Sequence, residues 1–140
     1  MRIIVDTNVI LDFLLEREPH AASAKGLFEM IYQEKVEAFI TGSSVTDIYY
    51  VTAKRLGAAL ARETVKHLIT ILGIIAVDGN TCAAALDLPI ADFEDALIVA
   101  CASEENIGYI VSNDKEFLQA GTRPVKVVST QAFLDFSAPI

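Results

Sequence analysis

The feature that most constrains the fold is a short apolar run that ends abruptly in polar residues. Residues 3–5 (IIV) favour a β-strand, and Asp6, Thr7 and Asn8 follow immediately before a helical apolar pattern begins at Val9. This order predicts a buried strand that ends, turns and starts a helix. Asp6 then lies at the carboxyl end of the strand, where ligands bind in open parallel sheets. Asp is also a favoured helix N-cap, so capping is the alternative role for this residue.

Strand and helix patterns alternate along the whole chain without a linker, a repeat or a low-complexity segment. The predicted strands are residues 3–5, 36–40, 74–77, 109–111 and 125–128. Apolar residues at helical spacing separate them, as in Ala24, Leu27, Phe28 and Ile31. We therefore predict one α/β domain over residues 1–140, with three α/β/α layers and a mainly parallel central sheet of about five strands.

The composition argues against one class of nucleic-acid-binding protein. The chain has 140 residues, of which 53% are hydrophobic, and its 19 acidic against 11 basic residues give a net charge of −8. This balance disfavours a general nucleic-acid coat protein, which usually carries a basic patch. It does not exclude an enzyme that holds phosphate groups through metal ions.

The cysteines and the longest apolar stretch indicate the compartment. Cys82 and Cys101 have no metal-site spacing, and we expect free thiols in a reducing cytosol. The first residues do not resemble a signal peptide, and the apolar stretch at residues 68–77 is too short to span a bilayer. We predict a soluble cytoplasmic protein with no membrane contact.

Further acidic residues occupy positions similar to that of Asp6. Asp47 follows Ser44 at the spacing of a capping box, in the predicted first turn of a helix. Asp92 and Asp95 open the helix that contains the apolar run at residues 96–102, and Asp114 follows the strand at residues 109–111. Each of these acids can be interpreted as a helix cap or a first-turn acid.

The acids share a placement that capping does not explain. Asp6, Asp47 and Asp114 follow strands, Asp92 and Asp95 open a helix, and no Lys or Arg lies between His67 and Lys115. Carboxylates that converge without a basic partner repel one another, which raises their pKa values. A divalent cation relieves this repulsion, and Mg²⁺ and Mn²⁺ prefer oxygen ligands. Such ions activate water for phosphodiester cleavage, so capping and metal binding are compatible roles.

Three segments resemble PIN-domain nucleases, and among them the VapC-like toxins of toxin–antitoxin pairs. They are residues 4–8 (IVDTN), 92–98 (DFEDALI) and 110–117 (IVSNDKEF), in this order. The resemblance covers nearly the whole chain and implies a PIN-like fold. It also implies that Asp6 and Asp95 are the principal metal ligands and that Asp114 is the fourth acid of the site. Asn8 and Ser112 are the supporting polar groups that it implies.

Two positions depart from the family pattern. Asp47 stands where Glu is usual and is one methylene shorter, which makes a water-mediated metal contact easier than a direct one. Ser112 stands where Thr is usual. Asp92 is an extra acid that can compensate for the short Asp47. We expect the carboxylates of Asp6, Asp95 and Asp114 to face one pocket, with Asp47 and Asp92 at its rim.

The resemblance implies a Mg²⁺- or Mn²⁺-dependent endoribonuclease that hydrolyses RNA and is held in check by a small antitoxin. It further implies a homodimer, for which Tyr49, Tyr50 and the helices around Leu56 and Leu68 are possible contact surfaces. The alternative is a degenerate, non-catalytic PIN-like module that binds RNA or a protein partner.

Basic and histidine side chains are weaker candidates for function. Four basic residues are candidates for holding phosphate, although a solvated helix face is the favoured explanation for each of them. They are Arg17, Lys54, Arg55 and Arg62. His20 and His67 lie in helical patterns away from the acids, and we interpret both as structural or surface residues.

Overall fold

A computed structural model describes residues 1–137 as strands and helices that alternate along the chain. The elements follow in the order β1 (Arg2–Val5), α1 (Thr7–Leu14), α2 (Ala21–Tyr32), β2 (Glu37–Thr41), α3 (Gly42–Leu56), α4 (Ala58–Ile71), β3 (Gly73–Ile75), α5 (Gly79–Leu86), α6 (Phe93–Glu104), β4 (Tyr109–Val111), α7 (Lys115–Gln119), β5 (Lys126–Val128) and α8 (Thr130–Ser137). The predicted strands all occur, and their ends differ from the prediction by at most two residues.

The five strands form one parallel sheet in the order β3-β2-β1-β4-β5. The chain moves from β1 outward to β2 and β3, and then returns to the other side of β1 with β4 and β5. This reversal leaves a crevice beyond the carboxyl ends of β1 and β4, which is where ligands bind in open α/β sheets. The predicted three-layer α/β/α fold with a parallel sheet is confirmed.

The alternating side chains of β1 enter two separate cores. Ile3 and Val5 pack in the core formed with α1, α2, α3, α4 and α8, which also contains Phe28. Ile4 packs on the other face with α6 and α7, where Phe117 is fully buried. A strand buried on both faces explains why residues 3–5 are uniformly apolar. Burying each of these side chains contributes about 1.5–3 kcal/mol, and the two cores fix the position of the strand.

Gly57 separates the two long helices α3 and α4. Its φ of 91° lies in a region that L-residues with a Cβ rarely adopt, and no atom lies near the position of an added Cβ. The backbone therefore reverses direction in a single residue, and α4 packs back against α3. Within residues 1–137, no helix is both long and apolar enough to cross a membrane.

The predicted capping box at Ser44 and Asp47 is wrong. Helix α3 begins at Gly42, with Thr41 at its N-cap, so Ser44 is inside the first turn and Asp47 is in the second. The Thr41 hydroxyl lies 2.9 Å from the hydroxyl groups of both Ser43 and Ser44. These contacts hold Ser44 in a buried polar cluster, and Asp47 is thus free of any capping role.

The apolar residues of α3 and α4 are only partly buried. Ile48 and Leu68 are buried, but Leu56 is 44% exposed and Ile69 is 47% exposed. Leu56 is the last residue of α3, directly before Gly57. A helical pattern identifies a stripe of residues, but the end of a helix can extend beyond the core that covers this stripe.

Candidate active site

Asp6 is held at the carboxyl end of β1 by its backbone and by its side chain. Its N–H group donates to the carbonyl of Val111 at 2.9 Å, which ties the end of β1 to β4. One carboxylate oxygen caps α1 by accepting from the Thr7 N–H at 2.8 Å. The other accepts from the Ser112 hydroxyl at 2.7 Å, and Asp6 is only 6% exposed. Asp6 is therefore a fixed and nearly buried carboxylate at the centre of the crevice.

Ser112 connects Asp6 to Asp114. The buried Ser112 hydroxyl donates to Asp6 and accepts from the Asp114 N–H at 3.1 Å. Asp114 is the N-cap of α7, because its carboxylate accepts from the N–H groups of Glu116 and Phe117 at 2.9 and 3.4 Å. The loop after β4 thus brings a second carboxylate to the edge of the sheet where Asp6 lies.

The start of α6 brings two more carboxylates. Asp92 is the N-cap of this helix, and its side chain accepts from the Asp95 N–H at 3.1 Å. Asp92 and Asp95 line a cavity of about 220 Å³ together with Glu116 of α7. The remaining lining residues are Pro89, Ile90, Ala91 and Ala120. A cavity walled by carboxylates from α6 and α7 therefore opens beside the crevice.

Burial and neighbouring charges act against the ionised form of Asp6. Burial raises the pKa of the Asp6 carboxyl above its usual range, whereas the hydrogen bonds from Ser112 and Thr7 oppose that rise. The charges of Asp114 and Asp92 raise this pKa further. Because Coulomb interactions of this kind require proximity, Asp6, Asp92 and Asp114 form one electrostatic group.

Asp95 has the largest shift among these acids. Burial is the main cause that raises the pKa of the Asp95 carboxyl to about 7. The carboxylates that add to the rise are those of Asp92, Asp6, Asp114 and Glu94. All of these named contributions raise the pKa, so Asp95 lies among acids without a compensating positive charge. A bound cation is the kind of partner that would keep Asp95 ionised at neutral pH.

Glu94 is a further acid of this group that the sequence interpretation missed. Its carboxyl group lies beside that of Asp47 of α3. Burial is the main cause that raises the pKa of Glu94, and its interaction with Asp47 and the charges of Asp92 and Asp6 add to the rise. The available signal was the density of acids at the start of α6, where three of four residues are acidic. Glu94 therefore links Asp47 of α3 to the acids at the start of α6, although the Asp47 side chain is one methylene shorter than the usual Glu.

The other candidates occupy more peripheral positions. Asn8 is exposed in the first turn of α1, and its carbonyl accepts from the Arg17 guanidinium at 3.2 Å. The same guanidinium forms a 3.0 Å ion pair with the buried carboxylate of Asp12. Arg17 is thus engaged by the protein itself. The His67 ring binds the Tyr32 hydroxyl at 2.7 Å, away from the acids, as a structural residue would.

The remaining basic residues lie on helix surfaces. Lys54 and Arg55 are exposed in the last turn of α3. The Arg62 guanidinium lies over the Tyr49 ring at 5.9 Å from its centroid. His20 precedes α2 and makes no capping hydrogen bond with its side chain.

The donor chemistry at the crevice fits a hard divalent cation. Asp6, Asp95 and Asp114 offer only oxygen ligands. Burial and neighbouring carboxylates raise the pKa values of Asp6 and Asp95, and a bound cation would oppose that rise. Their spacing is not that of a preformed centre, since no three His, Cys, Asp or Glu side chains within residues 1–137 are grouped closely enough to hold a metal ion together. Carboxylates that repel one another need a cation to draw them together.

Comparison with known proteins identifies the same family that the three sequence segments resemble. The sequence model of the PIN domain matches residues 2–116, a stretch that contains every acid of the crevice. The chain is also similar to ribonuclease VapC1 of Aquifex aeolicus (strain VF5). The two are 27% identical over 139 residues, covering 96% of this chain and 94% of that protein. The resemblance inferred from the three segments is confirmed.

Solved structures with the same fold include toxin–antitoxin proteins. VapBC2 of Rickettsia felis, bound to a promoter DNA fragment, superimposes with a TM-score of 0.70 at 18% identity and covers 92% of this chain and 98% of that one. Mycobacterium tuberculosis VapC20, a toxin that cleaves the sarcin–ricin loop, superimposes with a TM-score of 0.68 at 19% identity. It covers 85% of this chain and 95% of that one. These similarities establish the shared fold.

Proposed function

Because the chain belongs to the PIN domain family, we propose that it is a metal-dependent endoribonuclease. The observation that carries this proposal is the convergence of Asp6, Asp95 and Asp114, where the neighbouring charges that act on Asp6 and Asp95 are all carboxylates. Such a group of carboxylates attracts divalent cations. Without a bound cation, it repels an anionic substrate. The similarity to ribonuclease VapC1 over 139 residues supports RNA as the substrate.

The residues of the crevice have separate tasks in this proposal. Asp6, Asp95 and Asp114 would hold Mg²⁺ or Mn²⁺, and Asp47 would act through a water molecule. When bound, the ion supplies a Lewis acid that lowers the pKa of water and stabilises charge on phosphate. Ser112 orients the Asp6 carboxylate through its 2.7 Å hydrogen bond. Asp92 fixes the first turn of α6 and thereby the backbone of Asp95.

The net charge of −8 is compatible with an RNA substrate. Phosphoryl-transfer catalysis depends mainly on positioning and charge stabilisation, and bound metal ions supply both. An acidic enzyme of this kind would bind RNA weakly without metal, because the phosphates would face uncompensated carboxylates. RNA affinity should therefore rise with the concentration of divalent cation.

We also propose that the protein is the toxin of a toxin–antitoxin pair in the cytoplasm. The support is the similarity to VapC1 and to the VapBC assemblies. A neighbouring reading frame for a small DNA-binding protein, and its co-purification with this chain, would be the expected result. Cleavage that remains unaffected by the product of that frame would contradict the pairing.

A homodimer is the assembly that we propose. Exposed apolar side chains on α3 and α4 include Tyr50 (67%), Leu56 (44%) and Leu60 (51%). An isolated apolar residue on a surface is ordinary, but several on one helix pair are typical of an interface. Light scattering at micromolar concentration should give twice the chain mass of 15.2 kDa. A monomer mass would contradict the proposal.

The decisive experiment incubates the purified protein with a panel of RNAs in Mn²⁺, in Mg²⁺ and in excess EDTA. We expect cleavage with either cation and none in EDTA, and Asp95→Asn should fail to cleave. The alternative is a non-catalytic PIN-like module that binds RNA or protein. It would show binding without cleavage at every metal concentration, and cleavage that persists in EDTA would contradict the proposed metal dependence.

A further inference from the structure

The side chain of Asn113 is held by contacts different from those of its two neighbours. Ser112 and Asp114, on either side of it, contribute to the acid group beside Asp6. Asn113 instead contacts Thr130, where its Nδ2 donates to the threonine hydroxyl at 2.9 Å. Its Oδ1 accepts from the Thr130 N–H at 3.1 Å. The amide is thus bound at both ends to the first residue of α8.

The hydrogen bonds continue from Thr130 into α2. Thr130 is fully buried, and its hydroxyl lies 2.9 Å from the hydroxyl of Ser23. Ser23 donates to the carbonyl of His20 at 3.1 Å, so its own proton is already engaged. The Thr130 hydroxyl also lies 3.1 Å from Asn113 Oδ1, so it contacts both ends of the amide as well as the Ser23 hydroxyl, and Ser23 carries the network on to His20. Each side chain in this hydrogen-bond network has a partner, as buried networks require.

The loop after β4 is therefore fastened on several sides. The Ser112 N–H donates to the carbonyl of Val128 in β5 at 2.9 Å, and Asp114 caps α7. Asn113 supplies the link to α8 and α2. These contacts leave the loop little freedom to rotate, so the directions of Ser112 and Asp114 depend on where Asn113 is held.

We propose that Asn113 is a positioning residue that directs Ser112 and Asp114 toward Asp6 through its contacts with Thr130 of α8. Its effect on cleavage rests on the proposed ribonuclease function, whereas its effect on the loop and on cation binding does not. Functional groups need supporting contacts to stay in a productive geometry, and small displacements weaken a site strongly. Helix α8 is accordingly part of the construction of the acid site, although it carries none of its acids.

Three variants test this role, with a fourth as a matched control. Asn113→Ala removes all three side-chain bonds to Thr130, and Thr130→Val removes only the threonine hydroxyl. Thr130→Ser keeps the hydroxyl and should preserve the wild-type properties. The control is Thr122→Val, because Thr122 is also buried and donates one 2.8 Å hydrogen bond, to the carbonyl of Val125 before β5. It should lose a comparable amount of thermal stability without affecting the acid site.

Three measurements separate positioning from stability. Metal-free hydrogen exchange should show faster exchange of the Ser112 and Asp114 amides in Asn113→Ala and in Thr130→Val, but not in Thr122→Val. The Kd for Mn²⁺, measured by calorimetry, should rise by about tenfold in the first two variants, as when a supporting residue of a metal site is removed. At saturating Mn²⁺, RNA cleavage should lose kcat by a similar factor because Ser112 and Asp114 are displaced. KM should change little, because the bound cation still offsets the carboxylates.

Unchanged exchange at residues 112–114 in Asn113→Ala would overturn the inference, and so would a Mn²⁺ Kd equal to that of the wild type. An equal loss of Mn²⁺ affinity in Thr122→Val would also overturn it, since general destabilisation would then explain the effect. If the wild type binds Mn²⁺ but cleaves no RNA in the panel, the proposed function fails. The exchange rates and the Mn²⁺ Kd values would still decide the role of Asn113.

Discussion

The Ser112 hydroxyl donates a 2.7 Å hydrogen bond to the Asp6 carboxylate, and the two residues are 106 positions apart in the chain. This bond joins the ends of β1 and β4 beside the reversal point of the strand order. It also lowers the pKa of Asp6 against the opposing effects of burial and of the Asp114 and Asp92 charges. One neutral hydroxyl is therefore a principal stabiliser of negative charge at the centre of the crevice.

Removing this hydroxyl should weaken both the fold and the site. Ser112→Ala leaves a carboxylate oxygen of the nearly buried Asp6 without its donor, and we expect the free energy of unfolding to fall by about 1–3 kcal/mol. The pKa of Asp6 should rise, which can be measured by NMR titration of its carboxyl carbon. Ser112→Thr should behave like the wild type, because it retains the donor. An unchanged Asp6 titration in Ser112→Ala would contradict the importance of this bond.

The raised pKa of Asp95 predicts how stability depends on pH. Between the ordinary Asp pKa near 4 and the value of about 7, the folded state holds a proton that the unfolded state has released. Stability in metal-free buffer should therefore fall as the pH rises through this window and then level off. Asp95→Asn removes this titration, so its stability should exceed that of the wild type at pH 8 but not at pH 4.

Urea unfolding at several pH values, with and without Mn²⁺, checks the Asp95 prediction. A cation bound near Asp95 should restore wild-type stability at pH 8, and it should do so much less in Asp95→Asn. Asp87→Asn is the matched control, because Asp87 is an exposed carboxylate at the end of α5. A stability difference between wild type and Asp95→Asn that stays constant from pH 4 to pH 8 in EDTA would contradict the assignment.

The positions of three acids could be predicted because local sequence determines them. Asp6, Asp92 and Asp114 are each the N-cap of a helix, and each accepts a backbone hydrogen bond there. The sequence pattern specifies such a turn directly. Parallel pairing of β1 with β4 then brings the ends of their two loops together. The proximity of Asp6 and Asp114 thus follows from the topology of the sheet.

Other features depend on contacts that no local pattern contains. Asp47 had the spacing of a cap, but β2 extends to Thr41 and α3 starts earlier than the Ser44 pattern suggested. The contact between Glu94 and Asp47 joins two helices that are separated by α4 and α5 in the sequence. The role of Asn113 likewise depends on α8 lying beside α2. Such contacts between distant segments can be identified only from the folded structure.

Thr52 should be replaceable by valine with a gain in stability. Thr52 is fully buried in α3, and among the described residues its hydroxyl is the one buried side-chain oxygen or nitrogen without a hydrogen-bond partner. A buried polar group without a partner costs about 1–3 kcal/mol, and valine has nearly the same shape. Thr52→Val should therefore raise the free energy of unfolding by about 1 kcal/mol in urea titrations.

Thr41→Val is the matched control for this substitution. Thr41 is equally buried, but its hydroxyl contacts the hydroxyls of Ser43 and Ser44. The same chemical change should therefore lower stability at position 41. Equal destabilisation at both positions would show that the Thr52 hydroxyl has a partner in solution.

The pairing of Arg17 with Asp12 should contribute more to stability than either charged side chain does alone. Asp12 is 6% exposed, and Arg17 binds it at 3.0 Å while also holding the Asn8 carbonyl in the first turn of α1. Arg17→Met leaves the Asp12 carboxylate buried without its partner, and we expect a loss of about 1–3 kcal/mol in the free energy of unfolding. Asp12→Asn combined with Arg17→Met should lose less than Arg17→Met alone, because the uncompensated buried charge is then absent. A double-mutant cycle by urea unfolding measures this coupling, and additive losses would show that the two side chains act independently.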